Sequence, residues 1–300
     1  MSHLSYLEAI VVGAFQGVSE LFPISSLGHS ILIPALIGGQ WAKDLNVSAA
    51  DSPYLAFIVG LHVATAVALV IFFWREWLRI IGGLFSSLRD RRIQTPDQKL
   101  GWMLVIATVP VGLVGVVADH AVRTLLGKPV PAALFLAANG FVLYAGELLK
   151  RHVAARHEPP EEPGIEPSVA SDRRLARLGW GEGIAIGSAQ ILALLPGISR
   201  SGSTIVVGLT RGLSHEDAAR FSFLLATPVI LAAGVLKIPE LLKPANSGIM
   251  GPVLVGSVVS GIGAYLATRF LVKYFETRSL TPFAIYCTVF GLASAVYLGV

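Results

Sequence analysis

Residues 8–31, EAIVVGAFQGVSELFPISSLGHSI, return in altered form at residues 182–205, EGIAIGSAQILALLPGISRSGSTI. The alignment needs no gap. It pairs Glu8 with Glu182, Ile10 with Ile184, Gly13 with Gly187 and Gln16 with Gln190. It also pairs Ile24 with Ile198, Ser25 with Ser199, Gly28 with Gly202 and Ile31 with Ile205. Each copy is a hydrophobic segment broken by Pro, Gly and Ser. Broken hydrophobic segments at matching places in two halves point to a membrane protein built around a buried binding site.

Composition agrees with a membrane chain. It is 54% hydrophobic and only 14% charged, where soluble domains carry about 25% charged residues. The start, MSHLSYLEAI, has no Lys/Arg-rich stretch, so no cleaved signal peptide is expected. Cys287 is the single cysteine and cannot form an internal disulfide. No basic cluster marks a nucleic-acid surface, and nucleic acid is excluded as a partner.

A helix needs about 20 apolar residues to cross the hydrocarbon core. Six segments approach that length: 54–74, 101–118, 131–149, 221–238, 251–272 and 281–299. The repeated segments differ, because short apolar pieces flank PISSLGH and PGISRSGST. Each piece is too short to cross, which predicts two re-entrant helix–loop–helix hairpins, 8–39 and 182–212. Irregular backbone at that depth requires a protein-lined or water-filled surround. The expected fold is an all-α polytopic membrane protein. Residues 1–150 form a first repeat of one hairpin and three spans, 151–179 a cytoplasmic connector, and 180–300 a second repeat. Three spans per half is odd, so the halves are expected to be inverted. The loops 75–100 and 150–179 hold the Lys/Arg excess, which places them in the cytoplasm and both termini outside. The Pro- and Glu-rich stretch 157–172 reads as a flexible linker.

The loop PGISRSGST (196–204) offers Arg200, several hydroxyls and backbone amides beside a helix start. A guanidinium matches phosphate oxygens bidentately, and a helix N-terminus adds donors and a positive dipole end. Ser199, Arg200, Ser201, Gly202 and Thr204 are therefore candidate phosphate-binding residues. The alternative for Arg200 is a structural arginine reaching the interface. The first loop supplies Gln16, Glu20, Ser25, Ser26 and His29. Gln16 and Glu20 share a helix face. A carboxylate, a hydroxyl and an imidazole in one loop can act as metal ligand or base, nucleophile and proton donor. The competing reading is that the serines cap a helix and His29 is a satisfied polar group. Glu8 and Glu182 read as helix-dipole complements, His62 as a packed histidine, Glu147 as interfacial, and His215 as solvated.

The chain resembles the undecaprenyl-diphosphate phosphatase family, the bacitracin-resistance proteins. The resemblance rests on QGVSELFPISSLGH (16–29), PGISRSGST (196–204) and FSFLLATP (221–228). Gln16 stands at a position where the family permits Glu or Gln, and Leu27 where it often has Thr. The resemblance implies hydrolysis of undecaprenyl diphosphate to the monophosphate and inorganic phosphate in the bacterial inner membrane. That reaction recycles the carrier for peptidoglycan. It implies a site of Glu20, Ser26, His29, Ser199, Arg200, Ser201 and Thr204, with a divalent cation, Mg²⁺ or Ca²⁺, on Glu20; the loop charges, not the resemblance, place its opening on the outer side. The nucleophile is Ser26, His29 or water, with Ser26 preferred and His29 as acid/base. The partners are a polyprenyl diphosphate and membrane lipid; a homodimer is left open. A polyprenyl-phosphate flippase or a small-anion carrier would share this architecture, but would not need a nucleophile beside an acid/base.

Overall fold

A computed structural model describes residues 4–45, 53–153, 166–242 and 244–299. Among the described residues there are thirteen α-helices and no strand. The first hairpin is α1 (Tyr6–Ser19) and α2 (Ser26–Ile37), followed by the short α3 (Gly39–Asp44). Then come α4 (Pro53–Phe72), α5 (Trp74–Asp90), α6 (Pro96–Leu126) and α7 (Pro129–Lys150). After α8 (Pro167–Leu175), the second hairpin is α9 (Trp180–Ser188), a 3₁₀ turn (Ala189–Leu194) and α10 (Arg200–Thr210). The chain ends with α11 (His215–Leu241), α12 (Met250–Phe275) and α13 (Thr281–Tyr297).

Both hairpins start and turn for local reasons. The Ser5 hydroxyl accepts from Glu8 N at 3.2 Å while the Glu8 carboxylate accepts from Ser5 N at 2.8 Å, a capping box that starts α1. Glu182 accepts from Gly179 N at 2.8 Å at the start of α9. Each second hairpin helix is capped by a serine. Ser25 Oγ accepts from Gly28 N at 3.2 Å, and Ser199 Oγ accepts from Gly202 N at 3.1 Å. The repeated Ser-x-x-Gly is thus a repeated cap. It puts Ser26 and Arg200 at the same position, the first residue of a helix.

Four helices among the described residues are long and apolar enough to cross a membrane: Pro96–Ala118, Pro129–Lys150, His215–Pro239 and Asn246–Phe275. The expected spans 101–118, 131–149, 221–238 and 251–272 lie inside them. The other two fall on apolar helices as well, α4 for 54–74 and the shorter α13 for 281–299; the loop 75–100 needs correction. Beyond Phe72 the chain bends by 86° into α5, so 75–100 is largely a helix rather than a loop. One face of α5 is apolar and exposed (Trp74, Leu78, Ile81, Phe85, Leu88). The opposite face is buried, and Ser87 Oγ there accepts from Trp102 Nε1 at 2.8 Å. Periodicity at 3.6 residues with arginines between the apolar positions produces such a helix, suited to the membrane interface. The segment 281–299 forms α13, a helix of 17 residues.

The connector is corrected in part. Residues 154–165 lie outside the described residues, but Pro167–Leu175 is helical and its Asp172 is buried. Asp172 binds Arg79 at 2.5 Å and Arg220 at 3.2 Å, and Arg220 reaches Glu76 at 3.0 Å. Burial pushes the Asp172 carboxyl above its ordinary range, against the pull of Arg220 and Arg79. Glu147 and His215 are not at a wet interface: Glu147 is buried, accepting from Leu280 N at 2.6 Å, and lies 2.7 Å from His215 Nε2.

The helices pair in a regular way. The first long helices after each hairpin, α4 and α11, pack together, as do the third, α7 and α13. The middle ones each hold the other half's hairpin: α12 packs on α1, and α6 on α9. Glycine makes the last two contacts close. A Cβ on Gly13 would collide with the Gly256 carbonyl, and one on Gly187 with the Ala107 carbonyl.

Candidate functional site

The two hairpin turns meet in the interior. A Cβ on Gly28 would stand 2.8 Å from Gly197 Cα, so the loops touch backbone to backbone. Gly197 has φ +116°, a region where a side chain is strained. Asn139 of α7, fully buried, joins the loops. Its Nδ2 donates to the Pro23 carbonyl at 3.0 Å and its Oδ1 accepts from Ser199 N at 2.9 Å.

At this junction lies a cavity of about 340 Å³. Glu20, Ser25, Ser26, His62, Gln190, Ser199, Arg200 and Lys237 form its polar part, and Ile58, Val111, Val229 and Ile230 belong to its apolar wall. Glu20 is the hub. Its Oε2 accepts from Ser26 Oγ at 2.5 Å and from Gln16 Nε2 at 2.9 Å, and lies 3.3 Å from His62 Nε2. Its Oε1 accepts from Arg200 Nη2 at 3.1 Å. A carboxylate this deep in an apolar chain is costly unless paired, and here it has a cation and two neutral donors. Arg200 Nη1 is buried with no hydrogen-bond partner among the described residues, leaving one face of the fork to accept an anion.

The structure thus brings Glu20, Ser25, Ser26, Ser199 and Arg200 to one cavity. Gln16 supports Glu20 from behind. Ser201, Gly202 and Thr204 are buried behind the loop rather than lining the cavity. The hydroxyls of Ser201 and Ser199 are 3.1 Å apart, Gly202 N donates to Ser199 Oγ, and Thr204 Oγ1 donates to the Arg200 carbonyl at 3.0 Å and lies 2.7 Å from the Ser222 hydroxyl. His29 is not brought to the cavity. It is fully buried, Nδ1 is 2.7 Å from the Ser25 carbonyl and Nε2 is 2.8 Å from the Tyr286 hydroxyl. Its ring stacks on Tyr286 and Phe290 at 5.7 and 5.2 Å. It braces the turn that presents Ser26, whose preceding residue Ser25 has φ +66°. The sequence reading of His62 as a packed histidine is corrected, since it lines the cavity beside Glu20. Asn139 was missed. Both are polar residues inside apolar helices, the signal that marks intramembrane function.

A divalent cation can be tested against these groups. Among the described residues, no cluster of three or more His, Cys, Asp or Glu could hold one. The donors present are the Glu20 carboxylate and Gln16 Oε1, a buried atom with no hydrogen-bond partner. Of the two, only the Glu20 carboxylate lines the cavity, and a single carboxylate can hold an ion such as Mg²⁺ only where substrate phosphates and water supply the remaining ligands.

Residues 9–293 match the family described as bacitracin resistance protein BacA. The chain belongs to that family. It is 66% identical to an undecaprenyl-diphosphatase of Mycolicibacterium paratuberculosis, over 99% of this chain and 98% of the relative. It is 51% identical to undecaprenyl-diphosphatase 2 of Frankia alni, over 99% and 98%. An undecaprenyl-diphosphatase of Acidiphilium cryptum is 42% identical, over 97% and 98%. The BacA family and several apolar helices make this an integral membrane protein.

Proposed function

We infer that this chain is an undecaprenyl-diphosphatase of the bacterial inner membrane, releasing inorganic phosphate and returning the lipid monophosphate to wall synthesis. The observation that carries the mechanism is the Ser26 hydroxyl donating to Glu20 at 2.5 Å beside Arg200 in one cavity. Ser26 Oγ attacks the terminal phosphorus while its proton passes to Glu20. The bridging P–O bond breaks, and its electron pair leaves on the lipid phosphate. Water then attacks the phosphoserine, Glu20 returns its proton to Ser26 Oγ, and inorganic phosphate departs. Arg200, held beside the reacting centre, stabilises charge on the phosphoryl oxygens. The cation, Mg²⁺ or Ca²⁺, would be held by Glu20 and the diphosphate, and would neutralise phosphate charge. A carrier has no need of a serine bound to a buried carboxylate, so this contact favours hydrolysis over transport.

The proposed architecture is two inverted halves with both termini outside. The reciprocal packing of α1 on α12 and α9 on α6 supports the two matched halves, and the Lys/Arg excess of 75–100 and 150–179 supports the orientation. Phosphate release from a polyprenyl diphosphate by purified protein, abolished in Ser26→Ala, tests the function. Substantial turnover in Ser26→Ala would refute the serine nucleophile. No release by the wild type would refute the activity.

A further inference from the structure

Gln190 carries an acceptor that no group of the protein uses. It sits in the 3₁₀ turn after α9, is 1% exposed, and lines the cavity with Glu20, Ser26 and Arg200. Its Nε2 donates to the Gly187 carbonyl at 3.3 Å, while its Oε1 is buried with no hydrogen-bond partner among the described residues. The repeat separates it from Gln16. Gln16 donates to Glu20 at 2.9 Å and stays behind that carboxylate. The residue that matches Glu20 in the second copy is Leu194, so Gln190 has no carboxylate to support.

The other side-chain acceptors of the cavity are engaged. Ser25 and Ser199 accept from the cap amides of Gly28 and Gly202. Glu20 accepts from Ser26, Gln16 and Arg200. His62 Nε2 lies 3.2 Å from Gln16 Nε2 and 3.3 Å from Glu20. An anionic phosphoryl group brings acceptors, which suit the unpartnered Arg200 Nη1 and not an amide carbonyl. The partner for Gln190 Oε1 is a donor, and the second half of the reaction needs one. Once Ser26 is phosphorylated and Glu20 holds its proton, water must approach the phosphorus in line with Ser26 Oγ. We propose that Gln190 Oε1 accepts a hydrogen bond from this water and aims its oxygen at the phosphorus. The water oxygen bonds to phosphorus, and the P–Oγ bond breaks with its electron pair on Ser26 Oγ. Ser26 Oγ takes the proton from Glu20, and both protons of the water leave with the phosphate. Gln190 exchanges no proton, and the proposal rests on the phosphatase reading above.

The test uses full-length protein in detergent micelles with a polyprenyl diphosphate, and follows lipid monophosphate, inorganic phosphate and phosphoserine separately. Gln190→Met keeps the length and removes the acceptor; Gln190→Leu repeats the test with another shape. Inorganic phosphate release should fall about 10²-fold, while lipid monophosphate appears in a burst of about one per chain and phosphoserine accumulates. Stability should be unchanged or higher, because the orphaned carbonyl is gone; a packing role would lower it. Wild-type phosphate release in either variant overturns this proposal alone. So does loss of the burst together with turnover, which would place Gln190 in the first step. Recovery of turnover at high Mg²⁺ would make Gln190 a cation ligand, and loss of the fold in both variants would make it a packing residue; each overturns the proposal. Full turnover in Ser26→Ala, or no phosphate release by the wild type, overturns the reading above and this proposal with it.

Discussion

Asn139→Leu is the most searching perturbation of the site, because Asn139 is outside both loops and contacts the backbone of each. Leucine has nearly the same branched shape, so little cavity is created. Both hydrogen bonds are lost, leaving the Ser199 N–H buried beside a methyl group and the Pro23 carbonyl with only the weak Cys287 thiol donor at 3.8 Å. An unsatisfied buried backbone group costs about 1–3 kcal/mol, while polar contacts between membrane helices average about 0.6 kcal/mol. Two groups therefore cost about 1–6 kcal/mol, and we expect about 2–3 because the residue is fully buried and water cannot reach the orphans. The functional effect should exceed the stability effect. The side chain sets the spacing between the turn leading to Ser26 and the residue preceding Arg200. A misplacement of about 1 Å can cost about 10²-fold in rate. The assay pairs kcat for phosphate release with reversible unfolding in mixed micelles. Wild-type kcat together with wild-type stability would refute Asn139 as the joint between the loops.

Four further outcomes follow from the same geometry. Ser26→Ala and Glu20→Gln should each reduce kcat by about 10³-fold or more, and the double variant should be scarcely worse, since the pair acts as a unit; additive losses in phosphate release would separate their roles. Arg200→Lys should lower kcat/KM by about 10²-fold because a point charge cannot hold Glu20 and a phosphate in one planar fork; near wild-type kinetics would remove the clamp. His29→Phe should keep the ring stacking and lose the bond to Ser25, lowering kcat while leaving the limbs of the pH–rate profile in place; loss of a limb would restore His29 as an acid or base. After Cys287→Ala, a cysteine at the exposed Ser247 should react with an impermeant thiol reagent from outside and one at the exposed Arg92 should not; the reverse pattern would invert the orientation.

The loops were legible because their geometry is written locally. Ser-x-x-Gly specifies a capped helix start within four residues, and its recurrence at 25–28 and 199–202 predicted two matching turns without any knowledge of what surrounds them. Glu20, Ser26 and Arg200 could be read for a related reason. Charged and hydroxyl groups inside apolar sequence are costly unless they meet, so the cost itself predicts the meeting. What failed is what depends on direction. His29 is only three residues from Ser26 and about 60° from it around the helix, yet tertiary packing gives their ends different partners: Ser26 Oγ meets Glu20 and His29 Nε2 meets Tyr286. Sequence proximity suggested one cluster; the helix sends His29 toward Tyr286 and Phe290 instead.

Long-range partners were the other blind spot. Nothing in the local sequence of α4 says that His62 will lie 3.3 Å from Glu20, and nothing near Glu147 announces His215. The same cost argument that identified Glu20 applies to His62 and Asn139, each alone in an apolar helix. Applied evenly, it would have flagged both as members of a buried polar group, though not which group. The α5 segment shows the opposite bias. Its arginines counted toward a loop, while its apolar stripe at 74, 78, 81, 85 and 88 has the spacing of an amphipathic helix. Charge decides which side of a membrane a segment occupies; periodicity decides whether it is a helix. Reading both from the charges alone turned a helix bent 86° from its neighbour into a loop.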